Sequence, residues 1–160
     1  MLKRGSDLAQ SAAVDGPVRH MRAWLLLVGA LAVHVIDEAS TGFLDFYNPL
    51  VLSIRTEMPL FPMPTFTFGN WLGGLALLVL ALAALAPVVR QGGPAIRLAS
   101  WVLAVVMLMN GVGHLAGSVY FQRWLPGATS APLLIACSVF LMRATRERSR
   151  GDSAGVRHVV

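Results

Sequence analysis

The stretch AWLLLVGALAVHVIDEASTGFLDFY, residues 23–47, decides the class of fold. Its first half, Ala23 to Ile36, is apolar apart from His34, and Asp37 and Glu38 come directly after it. A basic flank at Arg19 and Arg22 precedes it, so an apolar core behind a basic start also fits a signal peptide. The next residues, however, are Asp-Glu-Ala-Ser with no small-x-small cleavage site, and some twenty residues stand before the stretch. It is expected to be a retained membrane helix over about 23–45.

Composition points the same way. In 160 residues, 56% are hydrophobic and only 13% charged, with a mean hydropathy of +0.65. Soluble domains carry about 25% charged residues, so a water-facing surface cannot be assembled from this chain. Disorder is excluded for the same reason. A lone cysteine, Cys137, rules out an internal disulfide and is expected to be a small buried hydrophobe.

Outward from the first helix, the chain bears no charge from Met58 to Val89, nor, histidine aside, from Leu98 to Gln122 or from Trp124 to Met142. Pro59, Pro62 and Pro64 delay the second helix to about 68–89. A third is expected over 98–121 and a fourth, shortened by Pro126, Gly127 and Pro132, over 128–145. Residues 1–21 and 149–160 are left as tails, and the stretch up to Pro17 reads as loop. The expected architecture is all-α: an integral membrane four-helix bundle over 22–148, in the cell membrane as a multi-pass protein.

Charge sets the orientation. Lys3, Arg4, Arg19, Arg22, Arg90, Arg97, Arg143, Arg146, Arg148, Arg150 and Arg157 fall on one side of such a bundle, against Arg55 and Arg123 on the other. By the positive-inside rule both termini are cytoplasmic. The net charge of +5 is thus spent on membrane flanks, and no nucleic-acid partner is expected. Gly69/Gly73 and Gly113/Gly117, each pair four apart, offer places for close helix packing.

The residues that carry chemistry are the polar ones inside these spans. His34, Asp37 and Glu38 stand at i, i+3 and i+4 and share one arc of the first helix; Thr41 and Asp45 extend the stripe if the helix continues. Asn110 and His114 share a face of the third. Measured from the basic flanks Arg22 and Arg97, His34 and Asn110 both lie about 18–20 Å into the membrane, and Glu38 and His114 about 24–26 Å, at 1.5 Å per residue. Burying an ionisable group at such depth costs ~3 kcal/mol on insertion scales, so the two polar faces are expected to meet. Each residue alone also reads as interhelical glue.

These residues resemble a known group, the HXXEE-domain membrane proteins, whose pattern is a histidine followed by two acids, a later histidine and a Y-x-P-G motif. Here it reads His34-Val35-Ile36-Asp37-Glu38, then His114, then Trp124-Leu125-Pro126-Gly127. Asp37 stands where the family has its first glutamate and Trp124 where it has tyrosine. The resemblance runs from about residue 23 to 142 and implies a site on these residues without naming a reaction. Trp124 itself reads as an interfacial anchor, and Pro126-Gly127 as the turn into the fourth helix.

The function expected from these residues is cofactor-independent proton transfer by a membrane-embedded enzyme of isomerase or epimerase type. Glu38 or Asp37 would be the base, His34 and His114 proton partners, and Asn110 the group that orients an amphiphilic or peptide substrate. No cofactor and no resident metal is expected. Two alternatives stand beside it: a metal-dependent hydrolase or oxidase, since two histidines and a carboxylate are metal ligands, and a proton-coupled transport or accessory subunit. A second membrane protein or another copy of the chain could complete the site. The apolar segment 47–65 reads either as a lid over the site or as a connector resting on the headgroups.

Overall fold

The protein, described by a computed structural model over residues 2–60 and 62–157, with side chains over 15–60 and 62–149, is helical throughout its regular structure. The tips of the expected tails, Met1 and residues 158–160, lie outside the described residues, as do the side chains of Lys3, Arg4, Arg150 and Arg157.

Helix α1 runs Leu2–Ser40 and absorbs both the stretch expected as loop and Pro17, which lies inside it. It ends where Thr41 N–H donates to the Asp37 carbonyl and Gly42 turns left-handed at φ 78°. The first helix therefore stops short of the expected 45, and Thr41 and Asp45 do not extend its stripe. Asp45 sits instead in the first turn of a new helix, α2 (Phe43–Glu57), where a carboxylate complements the helix dipole.

α2 takes up the first part of the loop expected over 47–65, as far as Glu57, and the described residues after it remain irregular. Its Pro49 lies inside the helix, and Val51 is its buried residue. The proline-rich chain after it is tied back onto α2: Tyr47 Oη donates to the Pro64 carbonyl (3.0 Å), Asn48 exchanges hydrogen bonds with the backbone of Phe66 (2.9 and 3.1 Å), and Arg55 donates to the Met63 carbonyl. The sequence hid this helix because Pro49 stands within it and Pro59, Pro62 and Pro64 follow closely, which reads as loop.

Thr67 caps α3 (Phe68–Ala84), accepting from Asn70 N–H. After a break at Leu85, α4 (Ala86–Gln91) completes the second apolar run. Gly92 and Gly93, both at positive φ, then lead into α5 (Pro94–Tyr120), with Pro94 in its first turn. The last helix, α6 (Ala131–Arg157), extends well past the expected 145.

α1 and α5 both pack on α6, and α1 also carries α3 and α4. Leu27, Val89, Leu134 and Leu141 fill the core. Among the described residues three segments, Asp15–Ser40, Phe68–Gln91 and Pro94–Tyr120, are long and apolar enough to cross a membrane. α6 is not among them, because Arg143, Arg146 and Arg148 enter its second half. It lies inside all the same, on small residues that let its neighbours approach: Ala131, Ser138, Ala144 and Thr145 are all buried.

The polarity of this fold is inverted. Leu77, Leu80, Leu98 and Val119 are two-thirds exposed, while His20, His34, Glu38 and Arg148 are buried. Arg148, expected on the tail as a flanking charge, reaches into the bundle and donates to the carbonyls of Val89 (2.9 Å), Arg90 (3.1 Å) and Gln91 (2.8 Å). It thereby satisfies the open end of α4. Gly92 makes room for it: a Cβ there would fall 2.0 Å from the guanidinium.

The glycine spacings do not pack helices as expected. A Cβ at Gly69, Gly73 or Gly113 would meet nothing, so these faces are open. The close helix–helix approach is at Gly111, where a Cβ would lie 2.8 Å from Ile135 and 3.1 Å from the Ala131 carbonyl, joining α5 to α6, while Gly117 of the expected pair packs on Leu125, 2.8 Å from where its Cβ would stand.

Candidate functional site

The two polar faces meet. His34 and Glu38 on α1 and His114 on α5 converge, the imidazole rings lying edge to face with centroids 4.8 Å apart. Glu38 Oε1 is 3.1 Å from His114 Nε2 and 3.7 Å from His34 Nε2. His34 and Glu38 are buried and His114 nearly so. The equal depths read from the basic flanks account for this: neither helix can hide its polar stripe alone, and together they do.

A residue not anticipated from the sequence organises the site. Ser130, buried immediately before α6, donates its hydroxyl to Asp37 Oδ2 at 2.7 Å, and its backbone N–H donates to the same oxygen at 2.9 Å. A serine has one hydroxyl proton; the Gly127 carbonyl, at 3.2 Å, is its more distant alternative. With that proton on Asp37, Ser130 Oγ is left to accept from His34 Nδ1 at 2.8 Å. The proton of His34 is thereby assigned to Nδ1, and Nε2 is a bare lone pair. That atom is buried, has no hydrogen-bond partner, and faces Glu38 and His114. A helix-start serine at the depth of the polar stripe was the only signal of Ser130 in the sequence.

Asp37 thus holds Ser130 and, through it, His34. Asn110 is a polar neighbour of the His34 ring, yet it is exposed at the mouth of the site and does not complete a hydrogen bond to Nε2. Trp124 points away: it is exposed and donates to Thr129 Oγ1 at 3.0 Å. Gly127 has the larger part. It turns the chain at φ 84° and lies flat against the site, where a Cβ would come 2.7 Å from the His114 ring and 3.0 Å from Glu38 Cγ. Ser118 anchors this turn, donating to the His114 carbonyl (2.8 Å) and accepting from Leu125 N–H (3.0 Å).

Two openings flank the Glu38–His114 pair. On one side is a cavity of about 370 Å³ under α2, reaching Glu38, Asp45 and Trp71. On the other is an apolar groove of about 340 Å³ between α2 and α5, where Phe46, Leu50, Met109 and Phe121 lead to Asn110 and His114. Phe43 stands between them, its ring 6.0 Å from that of His114.

Chemically the site can do two things. It sets an unpartnered acceptor, His34 Nε2, beside a carboxylate–imidazole pair in hydrogen-bond contact. It also gathers three donor atoms, His34 Nε2, Glu38 Oε1 and His114 Nε2, within 4.8 Å of one another, as a metal ion would require.

No curated protein and no solved structure matches the chain. A family described as a protein of unknown function with HXXEE motif matches residues 24–141, which takes in α1 from Trp24 through the first half of α6 with every residue of the site. That span is most of the chain, and the protein belongs to the HXXEE family.

Proposed function

We propose that the protein is a membrane-embedded enzyme that moves a proton on an amphiphilic substrate, an isomerase or epimerase working with the side chains of Glu38, His34 and His114. The observation that carries this reading is the contrast within the site: His34 Nε2 is buried without a hydrogen-bond partner, while Glu38 Oε1 and His114 Nε2 lie 3.1 Å apart. An acid and a base side by side are what a proton shift between two carbons, or removal and return at one carbon, requires. One group takes the proton from carbon as the other returns one, and a proton then passes back between the two imidazoles through Glu38 to reset the site. Asp37 and Ser130 position His34, and Asn110 at the groove mouth orients the substrate.

The setting proposed is a four-helix bundle in the cell membrane with both termini cytoplasmic. The apolar exteriors of α3 and α5 support it, as do the basic residues gathered on one side. α6 would be the inner, protein-covered fourth crossing.

The test needs no prior substrate. Protein in nanodiscs, incubated in D₂O with total lipid extract, is expected to add one mass unit to a particular lipid species. Glu38→Gln should abolish that shift. Extracts unchanged by the wild-type protein, or a shift that survives in Glu38→Gln, would sink the reading.

A second reading has its own observation. The orphaned His34 Nε2 and the fit of three donors also suit a mononuclear zinc or iron site, with Asp37–Ser130 as the outer support that fixes the ligand tautomer. In that case a hydrolase or oxidase would replace the isomerase.

A further inference from the structure

The cavity under α2 is not explained by proton transfer alone. Its walls combine two carboxylates, Glu38 and Asp45, with the rings of Phe43, Phe66, Phe68 and Trp71, and among the described residues no lysine, arginine or histidine lines it. The rings form a connected series: Phe43 and Trp71 stack with centroids 5.6 Å apart, and Phe68 meets Trp71 at 6.1 Å. On the other flank Phe43 stacks on Tyr47 at 5.3 Å, and Tyr47 on Phe66 at 6.0 Å. Beside this stacked series, rings and carboxylates line an open volume of about 370 Å³, within the range of small-molecule sites.

We infer that this cavity binds the ammonium head of the amphiphilic substrate. Aromatic faces attract a cation through their quadrupole, and the preference is strongest for weakly hydrated quaternary ammonium groups. The two carboxylates add charge complementarity and repel phosphate, sulfate or carboxylate heads. Gly42 keeps Asp45 available: at φ 78° the chain turns so tightly that a Cβ there would press on Asp45 Oδ2 at 3.1 Å. The rings argue against a metal as the occupant, since they offer it no ligand atoms.

The placement ties the head to the reaction. Glu38 belongs both to the cavity and to the histidine pair, and Phe43 separates the cavity from the groove that leads to His114. An amphiphile with its ammonium under α2 and its chain in the groove lies across Glu38 and His114. This inference names the substrate class for the site proposed above and rests on that reading for its link to catalysis, though not for the binding itself.

The experiment uses the full chain in nanodiscs and three probes with the same chain length: dodecyltrimethylammonium, dodecyl sulfate and dodecanol. Empty nanodiscs correct for partition into lipid. Saturable binding of the ammonium probe is expected, about tenfold or more tighter than either other probe. Asp45→Asn and Phe68→Leu, both at exposed positions that carry no core packing, should each weaken it by about tenfold. Equal affinity for the three probes, or ammonium binding untouched by both variants, overturns the inference. Ammonium binding without deuterium exchange into any lipid would uphold the cavity and remove the isomerase. Exchange into a neutral lipid with no ammonium binding would do the reverse.

Discussion

Glu38 Oε1 lies 3.1 Å from His114 Nε2, joining the C-terminal end of α1 to the C-terminal half of α5 through a buried carboxylate–imidazole contact. Both groups had to leave water to make it, which is costly for ionisable side chains. Everything else in the site is arranged around that pair: His34 beside it, Gly127 against its back, and an opening on each flank.

Replacing Glu38 by glutamine keeps the shape and removes the carboxylate that relays protons between the two imidazoles. Solvent deuterium incorporation should fall by about a hundredfold or more, the scale of a lost acid–base group. The thermal midpoint, followed in the same nanodiscs, should move little, because the amide still hydrogen-bonds to His114. A variant that unfolds, or one that exchanges as fast as the wild type, would contradict the assignment.

Ser130→Ala takes the shared partner from both Asp37 and His34. Leaving buried polar groups unmatched costs about 1–3 kcal/mol, to be read from denaturant unfolding. Nitrogen-15 spectra of labelled histidine should show His34 protonated at Nδ1 in the wild-type protein and a mixture of tautomers in the variant. Ser130→Thr, which retains the hydroxyl, should restore the wild-type pattern.

Gly127→Ala should displace His114 and Glu38 and strain a turn at φ 84°, costing about 1–3 kcal/mol together with most of the activity. Gly113→Ala is the matched control on α5, since its Cβ would meet nothing. Equal effects of the two substitutions would mean that the contact at Gly127 is unimportant.

Metal content of the purified protein separates the two readings of the site. About one zinc or iron per chain, lost in a His34→Ala/His114→Ala double variant, would establish the mononuclear centre. A folded protein that takes up neither ion, even when they are added, would leave proton transfer by the side chains.

Arg148→Met should loosen the opposite end of the bundle, where three carbonyls of α4 lose a charged donor. A stability loss of about 2–4 kcal/mol is expected from bonds of this kind, which do not add independently. Deuterium exchange at the distant site should persist at temperatures where the variant remains folded.

The sequence by itself determined that this chain is helical and apolar, and that two polar stripes stand at one depth. Those properties are local: composition decides what can face lipid, and the rise of a helix turns spacing into depth. His34, Asp37, Glu38, Asn110 and His114 were legible for that reason. Only the tertiary structure decided what joins the stripes. Ser130 bonds to residues more than ninety positions earlier, and no periodicity reports such a partner. Arg148 looked like a solvated flank until the end of α4 supplied carbonyls for it. α2 was concealed because its prolines break local pattern, while its hold on the chain after it and its rings over Glu38 exist only in three dimensions. A hydrogen bond between distant segments depends on where the whole backbone runs, and that is settled by packing.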